Sequence, residues 1–144
     1  MKLERLCAEA IDGMTAIEQA CFHAPWSAQS FRSAFALGHT VFFGATVGDT
    51  LAGYVGMQLL YDEGSITNIG VLPAFRRRGI GEELMRKMIE YAQQNGAARI
   101  LLEVRESNLA AQRLYARLGF EVLGTRADFY SAPREAARIM CRML

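Results

Sequence analysis

The first half of the chain has a pattern of apolar positions that predicts two helices followed by three strands. Residues 14–37 have helical spacing, and Pro25–Ser27 interrupts it, with Ser27 placed as the N-cap of a second helix. Three apolar segments of strand length come next, at 40–47, 51–60 and 65–72. The turn residues Gly48-Asp49 and Asp62–Gly64 separate them, so we expect consecutive antiparallel strands.

In the second half, helical and strand periodicities alternate. One helix has an apolar stripe formed by Ile80, Leu84, Met88 and Tyr91. It ends at Asn95-Gly96, and residues 98–104 then predict a short buried strand. A further helix begins near Asn108, ends at Gly119 and has an apolar stripe formed by Ala111, Leu114, Tyr115 and Leu118. Residues 120–124 and 138–144 predict the last two strands.

The predicted order is one strand, two helices, three strands, a helix, a strand, a helix and two strands. This order indicates an α/β (α+β) fold, with a mixed sheet that has a strand–helix–strand crossover at its centre. A length of 144 residues is typical of one domain, so we expect a single domain over residues 1–144.

Composition narrows the class of protein. The chain is 51% hydrophobic and 22% charged with a net charge of +1, so its overall charge gives no sign of a nucleic acid or an anionic membrane as partner. Its three cysteines are far apart and its two histidines complete no ligand set, so we expect buried thiols in a reducing compartment and no metal. The N-terminus lacks the apolar core of a signal peptide. These features predict a soluble cytoplasmic protein.

The segment between the third strand and the next helix has the composition of an anion site. Arg76-Arg77-Arg78 is followed by Gly79-Ile80-Gly81, directly before the helix. Glycines leave the backbone amides uncovered at the positive end of the helix dipole, which suits a phosphate or pyrophosphate. The segment has neither the Lys-Ser/Thr of a P-loop nor the third glycine of the dinucleotide fingerprint. A solvated arginine-rich loop, in which the glycines serve only to turn the chain, is the alternative.

Three polar residues of the second half are candidates for chemistry. Glu103 lies in an apolar strand, where a carboxylate is costly unless it faces a cleft or a partner; in a cleft, desolvation would raise its pKa and suit it to general-base work. The alternative is a glutamate at a sheet edge. Tyr115 is either a core residue of its helix or a proton donor at a cleft wall. Asn108 is either a helix cap or a ligand contact.

These residues together resemble a known family. The spacing Arg76-x-x-Gly79-x-Gly81, after a strand that ends in Val-x-Pro, resembles the acetyl-coenzyme A motif of the GNAT acetyltransferases. Residues 102–120 resemble the second cofactor segment of that family. With HAPWS at residues 23–27 and DFY at residues 128–130, the sequence is most similar to the ribosomal-protein alanine N-acetyltransferases, the RimI-like branch.

The resemblance implies a fold and a set of site residues. It implies a central mixed, mostly antiparallel sheet with about four helices, splayed where the strands around 66–72 and 98–104 diverge to hold the pantetheine arm. Glu103 would be the general base and Tyr115 the general acid. Trp26 and Tyr130 would line the acceptor groove, although each is equally a core residue. The implied cofactor-binding residues are Ile69, Gly70, Val71, Arg76, Arg77, Arg78, Gly79, Ile80, Gly81, Glu82 and Asn108.

The activity implied is transfer of acetyl from acetyl-coenzyme A (acetyl-CoA) to the N-terminal alanine of a small-subunit ribosomal protein. The alternatives are an acetyltransferase of a small amine or a lysine side chain, and a coenzyme A-binding module without turnover; an RNA-contacting domain built on the three arginines fits the net charge poorly. We expect no metal, no direct nucleic-acid partner and no membrane partner, and assume a monomer. Phe129 and Ala136 depart from the family's Tyr-Tyr and paired acids, which affects the expected peptide preference.

Overall fold

The computed structural model describes residues 1–144 and contains seven strands and four α-helices. The elements, in chain order, are β1 (Lys2–Arg5), α1 (Ile11–Cys21), α2 (Ala28–Leu37), β2 (Thr40–Val47), β3 (Thr50–Leu60), β4 (Glu63–Val71), α3 (Ile80–Gln94), β5 (Arg99–Arg105), α4 (Leu109–Arg117), β6 (Glu121–Ser131) and β7 (Arg134–Met143). None of the helices combines the length and the apolar composition needed to cross a bilayer.

One sheet contains all the strands, in the order β1-β2-β3-β4-β5-β7-β6. Every neighbouring pair is antiparallel except β4 and β5, which are parallel and are joined through α3. The predicted mixed, mostly antiparallel sheet with one central crossover is therefore confirmed. The parallel pairing is short, since only Glu63–Ser65 pairs with Arg99–Leu101, and the two strands separate beyond it.

Helices cover both faces of the sheet, which explains the continuous apolar runs of the middle strands. Adjacent residues of β2 show this: Phe42 packs with α1 and α2, whereas Phe43 packs with α3 on the opposite face. Side chains of a strand alternate between faces, so a strand covered on both sides needs apolar residues at every position. The larger core lies under α3 and includes Leu84, Met88 and Ile100.

The residues predicted to begin α2 and to end α3 do so in the structure. The Ser27 hydroxyl accepts a hydrogen bond from the Ser30 N–H and caps α2. Asn95 is the C-cap of α3, and Gly96 follows it with a φ of 81°. Before the last hairpin, two elements begin more than one residue from the predicted position: α1 begins at Ile11 rather than near residue 14, and β4 begins at Glu63 because the turn is at Tyr61 and Asp62.

The last hairpin is longer than the sequence pattern predicts. β6 extends over Glu121–Ser131 and β7 over Arg134–Met143, whereas the predicted strands were 120–124 and 138–144. Nearly every residue of β6 is exposed, because it is an edge strand that pairs only with β7. Exposed positions show no apolar alternation, so the usual sequence signal for a strand is weak there.

A buried carboxylate connects α1 to the sheet. The side chain of Glu18 accepts a hydrogen bond from the Tyr54 hydroxyl at 2.5 Å and another from the Trp26 backbone N–H at 2.8 Å. Glu18 is only 2% exposed and Tyr54 is fully buried. Burial and the hydrogen bond to Glu18 raise the pKa of Tyr54 above its ordinary value, so the hydroxyl stays protonated and remains a donor.

Removing this donor should destabilise the fold. We expect Tyr54→Phe to lower the free energy of unfolding by about 1–3 kcal/mol, because Glu18 loses a partner while it stays buried. Urea unfolding at neutral pH measures the change. Tyr91→Phe is the matched control: Tyr91 is half-buried, its hydroxyl has no partner in the protein, and the expected change is below about 0.5 kcal/mol. Equal losses in the two variants would show that the Glu18 contact contributes nothing specific.

Candidate active site

A cleft opens where β4 and β5 separate. Its volume is about 480 Å³, and its lining comes from β4, β5, α4, the segment between α1 and α2, and the end of β6. Because the strands pair only at their first residues, the gap lies at their C-terminal ends, where α/β sheets commonly bind ligands. The splay expected from the resemblance is therefore present.

On the β4 side, the backbone groups that face the gap are those of Ile69 and Val71. The Leu72 N–H donates to the Ala52 carbonyl at 2.8 Å, and polar groups along an antiparallel strand alternate in direction, so Gly70 points to β3 and its two neighbours point away. The Val71 carbonyl accepts hydrogen bonds from Arg76 Nε at 3.0 Å and from a cysteine thiol of α1 at 3.3 Å. Of the predicted residues Ile69, Gly70 and Val71, Ile69 has both backbone groups free toward the gap, and Val71 has its N–H free.

Gly70 is a glycine for a reason of packing. A Cβ at this position would lie 3.0 Å from the Ile17 side chain and 3.4 Å from the Phe22 ring. The missing side chain therefore allows α1 to pack closely on β4. Since its backbone groups are directed to Tyr54 on β3, Gly70 does not offer them to a ligand in the gap.

The three arginines of the loop, which the sequence analysis assigns to an anion site, differ in their surroundings. Arg76 is tied to the Val71 carbonyl, and the guanidinium of Arg78 lies 5.3 Å from the centre of the Phe75 ring. Arg77 forms no hydrogen bond or ion pair, and its backbone has a φ of 65°, in the left-handed region. Arg77 thus has no side-chain partner, and neither Arg77 nor Arg78 has its charge neutralised by a carboxylate.

The start of α3 presents uncapped amides. Gly79 is the N-cap with a φ of 77° and has no side chain to accept from them, and the first intrahelical bond runs from Glu83 N–H to the Gly79 carbonyl at 3.0 Å. The N–H groups of the intervening residues 80–82 have no protein acceptor. A Cβ on Gly81 would meet only a Leu114 methyl at 3.8 Å, so the surface beside these amides is open. The arrangement suits a phosphate oxyanion.

The carboxylate of Glu82, in the same first turn, is held by cations. It lies 3.5 Å from Arg86 and 3.4 Å from Arg117, a residue of α4. These contacts offset a negative charge that would otherwise oppose an anion at the helix terminus.

Glu103 lies on β5 and lines the cleft. Its neighbours Leu102 and Val104 are buried, whereas Glu103 itself is exposed, so its side chain is on the open face of the strand. The prediction of a cleft-facing carboxylate agrees with this position, but the expected burial does not. A proton that reaches this carboxylate has direct access to solvent.

Tyr115, on α4, contributes to both the core and the cleft. It is 6% exposed, and its ring centre lies 6.0 Å from that of Phe120. Its hydroxyl forms no hydrogen bond with the protein, yet it is not sealed from solvent. Burial, with a smaller effect of Tyr130, raises the pKa of Tyr115 to about 12. The hydroxyl is therefore protonated at neutral pH and is free to donate toward the cleft.

Tyr130, at the end of β6, lies near both residues. Burial and then the charge of Glu103 raise its pKa. The guanidinium of Arg105 lies 4.3 Å from the centre of its ring. Tyr130, Glu103 and Tyr115 therefore share one end of the cleft.

The remaining predicted residues also lie at the cleft. The Asn108 side-chain oxygen caps α4 by accepting from the Ala111 N–H at 3.1 Å, while its amide nitrogen has no protein acceptor, so it is a cap that also lines the cleft. Trp26 packs on Phe31, with ring centres 5.2 Å apart, and forms part of the opposite wall. The sequence analysis missed Glu18 because a single glutamate in a helical pattern carries no signal. It also gave no role to Arg105, although Arg105 follows Glu103 by two residues on the same strand face.

Comparison with known proteins agrees with this geometry. The acetyltransferase (GNAT) family model matches residues 11–120. The [ribosomal protein bS18]-alanine N-acetyltransferase of Escherichia coli K12 is 36% identical over 126 residues, covering 86% of this chain and 84% of that protein. N-alpha-acetyltransferase RimI of Mycobacterium tuberculosis is 36% identical over 122 residues, covering 82% of this chain and 75% of that protein.

A solved structure gives the same result. The crystal structure of the ribosomal-protein-S18-alanine N-acetyltransferase from Escherichia coli superposes with a TM-score of 0.92 at 32% identity. The match covers 99% of this chain and 92% of that one. The order and pairing of the strands described above are thus those of a known fold.

Proposed function

Since this chain belongs to the GNAT family of acetyltransferases, we propose that it acetylates the N-terminal α-amine of a protein that begins with alanine. The chain is an acyltransferase with acetyl-CoA as its acetyl donor. The relatives named for ribosomal protein bS18 support a ribosomal protein as the acceptor. With such an acceptor, the reaction would take place in the cytoplasm.

One observation carries the proposal: a proton acceptor and a proton donor line the cleft between β4 and β5, and an anion-binding helix terminus follows β4 in the chain. The free amides at 80–82 and the unpaired Arg77 lie at the end of β4, and Glu103 and Tyr115 lie on the elements that follow α3. A donor with a diphosphate and an extended arm fits this arrangement. The diphosphate would bind the amides, and the arm would follow Ile69 along the opening to Glu103.

To form an amide, the protonated acceptor amine must lose two protons. Acetyl-CoA would supply the acetyl thioester: the amide C–N bond forms and the C–S bond breaks. The second proton of the attacking nitrogen passes through solvent to the departing sulfur, so coenzyme A leaves as the thiol. Glu103 takes the proton of the protonated acceptor amine, directly or through a water, which exposes the lone pair for attack on the thioester carbonyl. Tyr115 donates a hydrogen bond to the departing sulfur. An α-amine, with a pKa of about 8, loses its proton more readily than a lysine side chain of about 10.4.

Two peptides test the proposal. One has a free N-terminal alanine and no lysine; the other has the same sequence with a blocked N-terminus and one internal lysine. With acetyl-CoA, we expect thiol release and a mass increase of one acetyl group for the first peptide only. Acetylation of the second peptide, or of a small amine in preference to the first peptide, would show that the enzyme acts on a different class of acceptor. Tight acetyl-CoA binding with no acceptor modified would identify a binding module.

A further inference from the structure

Arg105 contacts four residues of the turn between β6 and β7. Its guanidinium donates to the carbonyl oxygens of Pro133 at 2.9 Å and Ala132 at 3.0 Å. It also pairs with Glu135 at 3.1 Å and stacks on the ring of Tyr130 at 4.3 Å. Residues 130–135 are called the acceptor turn below.

The second carboxylate oxygen of Glu135 connects the acceptor turn to the segment that follows β5. Glu135 accepts a hydrogen bond from the Ser107 N–H at 2.6 Å, in the segment that leads from β5 to α4. The Ser107 hydrogen bonds, followed by Arg105, hold the pKa of Glu135 below its ordinary value, so the carboxylate is ionised at neutral pH. The acceptor turn is therefore attached to β5 and to the start of α4 at once.

Directly after the acceptor turn, the Glu106 N–H donates to the Ala136 carbonyl at 3.1 Å and β7 pairs with β5 from Ala137 onward, but few contacts hold the turn itself. The register of β6 and β7 is interrupted between Arg126 and Tyr130, and β6 is exposed along nearly its whole length. A second ion pair, Arg134 with Asp128 at 2.9 Å, is internal to the hairpin and leaves its position over the sheet undetermined. The contacts of Arg105 are the ones that join the turn to the strand carrying Glu103.

We propose that Arg105 is a positioning residue, which holds the acceptor turn, with Tyr130, as a fixed wall of the cleft opposite Trp26. An acceptor amine then meets Glu103 in one orientation. This proposal rests on the proposed function, because it assumes an acceptor that extends between these two walls. Arg105 touches neither reacting group and acts through the wall that it fixes.

The contact geometry separates this role from that of an ordinary surface ion pair. An exposed ion pair contributes little to stability, because solvent screens it and two long side chains must be ordered to form it. Arg105 is 28% exposed and satisfies two carbonyl oxygens, a carboxylate and an aromatic face with one planar group. Lysine offers a point charge and cannot make the same set of contacts.

The chain contains a matched control on the same strand. Arg99 lies on the same face of β5, six residues before Arg105, and pairs with Glu63 at 2.9 Å. That pair joins β5 to β4 at the closed end of the gap, away from the cleft lining. Replacing either arginine by lysine keeps a cation opposite a carboxylate, and only the Arg105 change loosens the acceptor turn.

The experiment compares Arg105→Lys, Arg105→Gln, Arg99→Lys and Arg99→Gln with the wild-type protein on the alanine peptide. We expect both Arg105 variants to raise the peptide KM by about 10-fold or more, since a small misplacement of a bound group has effects of up to about 10²-fold. The Kd of acetyl-CoA should be unchanged, and both Arg99 variants should keep the wild-type peptide KM. Glu135→Ala, which removes the acceptor shared by Arg105 and Ser107, should also raise the peptide KM.

Each outcome decides the proposal. A wild-type peptide KM in Arg105→Lys, or equal changes in the Arg105 and Arg99 variants, would overturn it and leave the proposed function intact. A fall in Tm without a change in peptide KM would reduce Arg105 to a structural contact. Failure of the wild-type protein to acetylate the alanine peptide would instead overturn the proposed function. The positioning role of Arg105 toward the acceptor would be overturned with it.

Discussion

Replacing Glu103 by glutamine should lower kcat on the alanine peptide by about 10²–10⁴-fold, the usual contribution of a positioned general base. The acceptor amine is mostly protonated at neutral pH, and a protonated amine has no lone pair for attack. Glutamine keeps the size and exposure of the side chain but accepts no proton. The Kd of acetyl-CoA and the Tm should stay at their wild-type values, because Glu103 is exposed and forms no hydrogen bond or ion pair within the protein.

The pH profile distinguishes a lost base from general damage. The rate of Glu103→Gln should rise about tenfold per pH unit below pH of about 8, where the fraction of free α-amine limits it, and level off above. The deficit relative to wild type should therefore shrink as pH increases. Glu106→Gln is the control: it removes a nearby exposed carboxylate, outside the cleft lining, and should retain wild-type activity. A deficit that is the same at every pH would assign Glu103 a role other than proton removal.

The sequence predicted the fold well because its elements carry strong local signals. The middle strands are buried on both faces, so 40–47 and 51–60 are continuously apolar and bounded by turn residues. The crossover between β4 and β5 was evident from the change of period at α3. The hairpin of β6 and β7 was underestimated, since an exposed edge strand is held by backbone pairing to its neighbour, which leaves no apolar pattern in the sequence.

The candidate site was predicted unevenly for a related reason. Arg76–Gly81 form a contiguous motif, and their residue types alone indicate an anion site. Their individual contacts are not evident in the sequence: Arg76 is held by the Val71 carbonyl, Arg78 lies against the Phe75 ring, and Arg77 has no side-chain partner. Glu103 could be identified as a cleft residue, but its exposure is set by how far β4 moves away from β5, which is a tertiary property.

Arg105 illustrates what local patterns leave out. Its hydrogen-bond partners are 27 to 30 residues away in the chain, on a turn whose path depends on a register shift in β6. Nothing in the spacing of Arg105 and Glu135 predicts that they meet. The same holds for Glu18 and Tyr54, which are 36 residues apart and meet only when α1 packs against β3.

Tyr115→Phe should lower kcat by about 10²-fold, less than the upper range for Glu103→Gln. A thiol with a pKa near that of cysteine, about 8.5, gives a thiolate that is a moderate leaving group without help. A phenol of pKa about 12 is a weaker acid than that thiol, so it assists by donating a hydrogen bond to the sulfur as charge develops rather than by complete proton transfer. Phenylalanine keeps the ring contact with Phe120, and no hydrogen bond within the protein is lost, so Tm should be unchanged.

The raised pKa gives this prediction a pH signature. The acidic form of Tyr115 persists until pH approaches about 12, so the wild-type rate should show no alkaline decline from this group across pH 7 to 10. The ratio of wild-type to Tyr115→Phe rates should therefore be constant over that range. Tyr130→Phe is the decisive comparison, because its hydroxyl lies at the same end of the cleft. If Tyr130→Phe lowers kcat and Tyr115→Phe does not, the donor to the sulfur is Tyr130, and Tyr115 is a core residue with an incidental position at the cleft wall.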